Sequence, residues 1–211
     1  MNIDAILNAK IKDFPWPHAV IEDVLDPEEL DSLCAPLNKF SLDPKTLKII
    51  GPKGKLYSSR KIISIPSIQY GTWGENELPQ ELKNKVEQSM TDSRDEILTK
   101  FGRKPRGSRY YVKTQISITP PQVSYPIHTD LPSKTWTMAL YASPKQGQGT
   151  LVYGKDKKTP IETPWKINSG LAFAPVNPKT RPNQQETWHS YQNTTDQLRI
   201  CWIINIVLVG H

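Results

Sequence analysis

The chain has 211 residues, 36% of them hydrophobic and 23% charged, with 27 basic against 21 acidic side chains and a formal charge of +6. These values exclude a disordered chain, a collagen and a coiled coil, and the length predicts a single domain over residues 1–211 that buries its own core without disulfides. No apolar run approaches a membrane span and residues 1–12 lack the basic-then-apolar build of a signal peptide, so a cytoplasmic protein with no membrane partner is expected.

Two further features narrow the class. Cys34 and Cys201 stand far apart in unrelated contexts, which supports neither a disulfide framework nor a cysteine zinc site. The 19 prolines exceed the average usage of roughly 5%, and proline removes a backbone donor, so many short strands joined by turns are favoured. The charge is uneven: residues 1–50 carry 5 basic and 9 acidic side chains, whereas 101–211 carry 14 and 5, a local +9. The second half is thus suited to an anionic partner or substrate.

In chain order, Asp4 to Asn8 is a short first segment, and the prolines of Asp13 to Pro17 impose an extended path. His18 to Val24 reads as a strand. Asp26-Pro27-Glu28-Glu29 is a helix start, with a capping acid, proline in the first turn and acids at the positive end of the dipole. Leu30, Leu33, Cys34 and Leu37 follow at helical spacing. Lys61 to Ile68 is strand-like, flanked by Gly-containing loops at Gly51 to Ser59 and Gly71 to Glu77 that suit lids. Pro79 to Phe101 predicts the longest helix, closed by Gly102.

From Arg109 the texture changes. Strands are predicted at Tyr110 to Thr119, Val123 to Thr129, Thr135 to Tyr141, Gly149 to Tyr153, Ile161 to Thr163, Leu171 to Ala174, Trp188 to Gln192 and Gln197 to Leu208. So many short strands in succession indicate a sandwich or jelly roll rather than alternating βα units. The expected architecture is mainly β with supporting helices: residues 1–105 as a helical support with lid loops, and 106–211 as the strand-rich core.

Chemistry concentrates in that core. His128 and Asp130 are two residues apart, so on a strand they share a face and can grip one ion together. His189, on a later strand, completes a set of two imidazoles and one carboxylate, the facial triad that suits Fe(II) and leaves coordination sites open. Ten residues on, Arg199 opens the apolar run to Asn205, where a charge must meet an anion or face solvent; a guanidinium fork on a carboxylate is its natural role. Gln115, among alternating residues of the first core strand, is a candidate for the cavity wall. Tyr125 is a candidate contact for substrate or co-substrate; Trp136 and Trp188 are candidates for the substrate mouth, and Asn205, on the face of Arg199, for substrate contact.

The ordered marks Tyr125-x-x-His128-x-Asp130, Gln148-Gly149-Thr150-Leu151-Val152-Tyr153, Ser169 to Pro175, His189 and Arg199 resemble the Fe(II)- and 2-oxoglutarate-dependent dioxygenases, in the branch similar to prolyl 4-hydroxylases. The opening Pro17 to Leu25, followed by an acidic helix, is similar to that family's N-terminal support. The resemblance implies a double-stranded β-helix of cupin-like jelly-roll type, with iron held by His128, Asp130 and His189. It implies 2-oxoglutarate chelating the metal through its keto-acid end with its distal carboxylate on Arg199, dioxygen as oxidant, and ascorbate as a supporting reductant. The implied reaction is hydroxylation of an unactivated C–H bond, with release of succinate and CO2, on a peptide or protein side chain such as proline. Two departures stand out. Prolyl hydroxylases of this type usually carry lysine where Arg199 stands, and many arginine-type members carry serine or threonine where this chain has Cys201. A thiol donates weakly, so a tyrosine or threonine on a neighbouring strand is expected to supply the second partner of the distal carboxylate.

The alternatives are the same chemistry on a nucleic acid or small molecule, motivated by the basic second half, and a non-catalytic β-roll binding module. Aromatic and basic residues do not interleave as a base-stacking surface requires, and Asn205 stands where a second arginine six residues beyond Arg199 would. Halogenases of the superfamily replace the metal carboxylate by a small residue, and Asp130 argues against that outcome.

Overall fold

The computed structural model describes residues 1–43, 45, 49–51, 56–57, 61–62, 65–66, 79–105, 109–143, 149–178, 181 and 183–209. The proposed lid loops, apart from Gly51 and the Leu56–Tyr57 pair, lie outside these residues, as do Gln148 and His211.

Helix α1 (Ile3–Asn8) is capped by the Asn2 side chain, which accepts from the Ala5 N–H. Strand β1 (His18–Ile21) stops short of the expected Val24, because Asp23 turns to a left-handed φ of 52°. Helix α2 (Pro27–Leu37) starts with a reciprocal capping box: Asp26 accepts from the Glu29 N–H and Glu29 accepts from the Asp26 N–H. Strands β2 (Ser41–Leu42), β3 (Ile49–Ile50) and β4 (Leu56–Tyr57) form a small antiparallel sheet. Where one strand was expected over Lys61 to Ile68, β5 (Lys61–Ile62) and β6 (Ile65–Pro66) pair with each other antiparallel. The expected long helix is likewise two, α3 (Gln80–Asp92) and α4 (Arg94–Lys100), separated by Ser93 at φ −96° and ψ 9°. The Ser89 and Thr91 hydroxyls donate to the carbonyls of Lys85 and Glu87 four residues back, a competition for acceptors that bends helices.

Eight strands follow, close to their expected limits: β7 (Tyr110–Thr119), β8 (Ser124–His128), β9 (Lys134–Tyr141), β10 (Thr150–Tyr153), β11 (Pro160–Glu162), β12 (Gly170–Phe173), β13 (His189–Gln192) and β14 (Arg199–Leu208). They form a five-stranded sheet, β1-β12-β9-β14-β7, and a four-stranded sheet, β11-β10-β13-β8. All of their described pairings are antiparallel. The first half of the chain therefore supplies β1 to one edge of the larger sheet. At the start of β10, a Cβ on Gly149 would overlap the Thr163 carbonyl oxygen, so only glycine fits there.

Strand alternation gives the larger sheet two unlike faces. One presents Trp136, Met138, Leu140, Ile200, Trp202, Ile204 and Ile206, buried in one core with Leu82, Val86, Met90, Ile97 and Leu98 of the helices. Each such side chain contributes about 1.5–3 kcal/mol on burial. The other face looks toward the smaller sheet, where Trp16, Val152, Leu171 and Phe173 form a second apolar cluster. No helix among the described residues is long and apolar enough to cross a membrane.

The helical layer has one acid-sensitive tie. Buried Glu29 accepts from Lys85 at 2.7 Å and from the Met1 amino group at 2.6 Å. Burial alone would raise its pKa, but these bonds win and hold it down at about 2, from an ordinary 4.5. Its folded pKa is depressed, so its stabilisation is complete above pH 4.5 and is lost as the pH falls toward 2. Glu29→Gln is expected to lower stability at pH 7 by on the order of 2 kcal/mol and to flatten the acid limb of the stability profile over that window, measured by urea unfolding against pH.

Candidate metal and co-substrate site

The site lies between the two sheets. On β14 the alternate residues Arg199, Cys201, Ile203 and Asn205 face it, opposite Thr119, Ser117, Gln115 and Lys113 of β7 and, for the last three of β14, Tyr141, Ala139 and Thr137 of β9. From the smaller sheet come His128, the last residue of β8, and His189, the first of β13, which stand directly opposite each other in register. Asp130 follows β8 by two residues.

His128, Asp130 and His189 offer ligand atoms that all lie within 4.8 Å of one another. The His128 Nδ1 lies 2.9 Å from the Pro126 carbonyl and the His189 Nδ1 lies 2.9 Å from the Thr187 carbonyl. A carbonyl only accepts, so each Nδ1 carries the proton and each Nε2 keeps its lone pair for a cation. Burial, and then the neighbouring His189, push the His128 pKa down to about 3, and burial lowers that of His189 as well. Both rings are thus neutral at physiological pH. Asp130 is 7% exposed, and although burial opposes ionisation, Lys134 and the two imidazoles hold its carboxyl well below the usual range. Two neutral imidazoles and one carboxylate, dehydrated and already oriented, fit a divalent transition metal.

Arg199 sits deeper in the same cavity, 3% exposed. Its guanidinium lies 4.3 Å from the Tyr191 ring centroid, 5.2 Å from that of Trp165 and 5.8 Å from that of Tyr141, an aromatic cage that sets its plane. Its Nη2 donates to the Thr150 hydroxyl at 3.5 Å. The Tyr191 hydroxyl lies beside those of Ser117 and Thr119, near enough to engage them but outside good hydrogen-bond geometry. Of these, Tyr191 and Ser117 line the cavity, where a polar occupant could complete their hydrogen bonding. Leu171, Phe173, Ala139 and Ile203 supply the apolar wall of the cavity.

The fold that carries this site has counterparts among solved structures. A prolyl-4-hydroxylase from Pseudomonas putida superposes with a TM-score of 0.55 at 13% identity, covering 99% of this chain and 97% of that one. The viral collagen prolyl hydroxylase of Paramecium bursaria Chlorella virus-1, in its 2OG complex, gives 0.55 at 21% identity over 91% and 96% of the two chains. An oxidoreductase of the 2OG-Fe(II) oxygenase family from Burkholderia pseudomallei gives 0.52 at 12% identity over 90% and 84%. This chain has the fold of the 2-oxoglutarate oxygenases. The core is accordingly the expected double-stranded β-helix. No protein-family model and no curated protein matches the sequence.

Within that fold, His128, Asp130, His189, Arg199 and Gln115 all line the one cavity. Three other expectations meet a different placement. Trp136 is not at a substrate mouth: it is fully buried on the helix-facing side of β9, its ring 5.9 Å from that of Phe101, because its parity is that of Met138 and Leu140. Trp136→Phe is expected to cost about 1–2 kcal/mol of stability by urea unfolding while leaving metal affinity unchanged. Asn205 faces the intended side but is 1% exposed and lies 3.0 Å from the Thr137 hydroxyl, behind the metal cluster rather than at a substrate surface. Tyr125 is outside the cavity lining; it packs edge-on against the His128 ring at 4.5 Å and stacks on Tyr191 at 5.2 Å, which braces the ligand ring. Trp188, immediately before His189, is half-buried, with the Lys157 ammonium 3.5 Å above its ring. Sequence reasoning missed Lys134, Thr137, Thr150, Trp165 and Tyr191. Thr150 and Tyr191 pair across β10 and β13, so the signal that could have found them is strand parity with His189.

Proposed function

We propose that the chain is an Fe(II)- and 2-oxoglutarate-dependent oxygenase that hydroxylates an unactivated C–H bond of a peptide or protein side chain, with proline the first candidate. The observation that carries this reading is the joint placement of a neutral two-histidine, one-carboxylate cluster and a caged, buried arginine on the wall of one cavity. The Nε2 atoms of His128 and His189 and a carboxylate oxygen of Asp130 would hold the iron. Iron, when bound, supplies the activation of dioxygen that couples decarboxylation of 2-oxoglutarate to succinate with oxygen insertion into the substrate. Arg199 and Thr150 would receive the distal carboxylate, with the Tyr191 and Ser117 hydroxyls as further donors, which answers the weak donation of Cys201. Leu171, Phe173 and Ile203 exclude water from the space between.

A peptide substrate is supported by the names of the structural neighbours, two of them prolyl hydroxylases, and by Leu131, which is 67% exposed directly after Asp130. Cys34 and Cys201 are both free thiols, in keeping with a reducing, cytoplasmic setting. The test is turnover with Fe(II), ascorbate, 2-oxoglutarate and air, with succinate measured and proline-containing peptides weighed for the gain of one oxygen atom. Succinate formed together with a heavier peptide supports the reading; oligonucleotides gaining oxygen in place of peptides would move the substrate to nucleic acid.

A further inference from the structure

The three proposed ligands are not anchored alike. His128 and His189 stand on paired strands, each with its Nδ1 on the carbonyl two residues before it. Asp130 lies beyond the end of β8 and outside the strands, so sheet pairing does not fix its backbone. The Asn177 amide donates to its main-chain carbonyl at 3.0 Å, and Lys134 and Thr137 reach its carboxylate. Lys134 donates to Oδ1 at 2.7 Å from a side chain that is 19% exposed, on a flexible four-carbon stem. The Thr137 hydroxyl lies 3.0 Å from Oδ2, is buried, and stands on β9 between β12 and β14, in the interior of the larger sheet. A short, β-branched side chain is stiff at χ1, so Thr137 is the more rigid hold of the two.

That hydroxyl has a second neighbour, the buried side-chain amide of Asn205, also 3.0 Å away. Thr137 and Asn205 are direct partners in register on β9 and β14. A hydroxyl carries one hydrogen, and it cannot serve two acceptors at once. The Asp130 carboxylate only accepts, and it forms the stronger, charge-assisted bond, so the hydrogen goes to Oδ2. The Asn205 amide then turns its NH2 toward the Thr137 oxygen, an orientation set by the network. Hydrogen bonds therefore run one way, from Asn205 to Thr137 to Asp130. Each carboxylate oxygen has two lone pairs, so accepting one hydrogen bond leaves one for a cation.

We propose, resting on the functional reading above, that Asn205 and Thr137 are positioning residues that set the orientation of the Asp130 carboxylate before the metal arrives. Neither is one of the proposed ligands, and Asn205 acts only through Thr137. Without the Thr137 hydrogen bond the carboxylate keeps the Lys134 contact alone and turns more freely about χ2, a broad torsion. Ordering it then becomes part of the cost of binding, and metal affinity falls.

The experiment is titration of the full chain with Mn(II) in the absence of 2-oxoglutarate, followed by electron paramagnetic resonance, with folding checked by circular dichroism. Thr137→Val, nearly isosteric but without the hydroxyl, is expected to bind Mn(II) about 10- to 100-fold more weakly than wild type. Thr137→Ser keeps the hydroxyl and is expected to bind near wild type. Asn205→Leu is expected to lose less, about three- to tenfold, and to add nothing further in the Thr137→Val background. Unchanged affinity in whichever of Thr137→Val and Asn205→Leu folds would overturn the inference. So would an equal loss in Thr137→Ser and Thr137→Val, which would assign the effect to packing, or additive losses in the double variant, which would separate Asn205 from Thr137. A wild type that binds no Mn(II) would bring down the functional reading itself.

Discussion

His189→Ala is expected to abolish metal binding and with it turnover, by at least about a thousandfold, equivalent to about 4 kcal/mol. Its neutral imidazole is one of three donors, and the remaining pair would be a backbone-tied His128 and an Asp130 whose oxygens are shared with Lys134 and Thr137. Two donors cannot fix the open face that a facial triad presents. His189 is in register with His128 across β8 and β13, so the strand pairing should survive loss of the ring. The measurement is Fe(II) or Mn(II) affinity by calorimetry beside succinate formation, with the thermal transition confirming the fold. His128→Ala should behave alike, since the two rings are held in the same way, each with Nδ1 on the carbonyl two residues before it. Retained metal affinity in either variant would remove that ring from the ligand set.

Arg199→Met separates the co-substrate from the metal. Truncating one partner of a buried, hydrogen-bonded charge pair costs about 2–5 kcal/mol, so 2-oxoglutarate affinity should fall by roughly 30- to 5000-fold. Mn(II) affinity measured without 2-oxoglutarate should stay near wild type, because Arg199 holds none of the ligand residues in place among its described contacts. The fold should tolerate the change, since an apolar side chain of similar length replaces a buried charge among Tyr141, Trp165 and Tyr191. Arg199→Lys should recover part of the binding, as a point charge without the planar fork. Equal loss of metal binding in Arg199→Met and His189→Ala would contradict the separate roles.

Much of this was legible because the decisive residues break a pattern. Arg199 stands out as a charge opening an apolar strand, and His128 and Asp130 as chelating side chains two apart. The strand-rich half was legible from turn residues and alternation, and all eight expected strands formed. What remained hidden depends on pairing. Parity alone separates Trp136, Met138 and Leu140 from Thr137 and Ala139, and the larger side chains mark the helix-packed face, so Trp136 could have been assigned to the core. Asn205 shares the parity of Arg199, yet its role follows only from its register opposite Thr137, which single-strand reading does not supply. Lys134 reaches Asp130 only because the turn after β8 brings the start of β9 back beside it. Tyr191 and Thr150 likewise converge on Arg199 from the opposite sheet. The break at Ser93 was hidden because Met90 and Ile97 keep helical spacing across it.

Everything above turns on one cavity binding iron and 2-oxoglutarate together. Its most direct test is an anaerobic titration of the purified chain with Fe(II) and then 2-oxoglutarate, monitored by visible absorption. A weak metal-to-ligand charge-transfer band is expected that saturates at one equivalent of each, is absent in His189→Ala, and in Arg199→Met requires far more 2-oxoglutarate. A folded wild-type protein that binds Fe(II) and 2-oxoglutarate without that band, or binds neither, would contradict it.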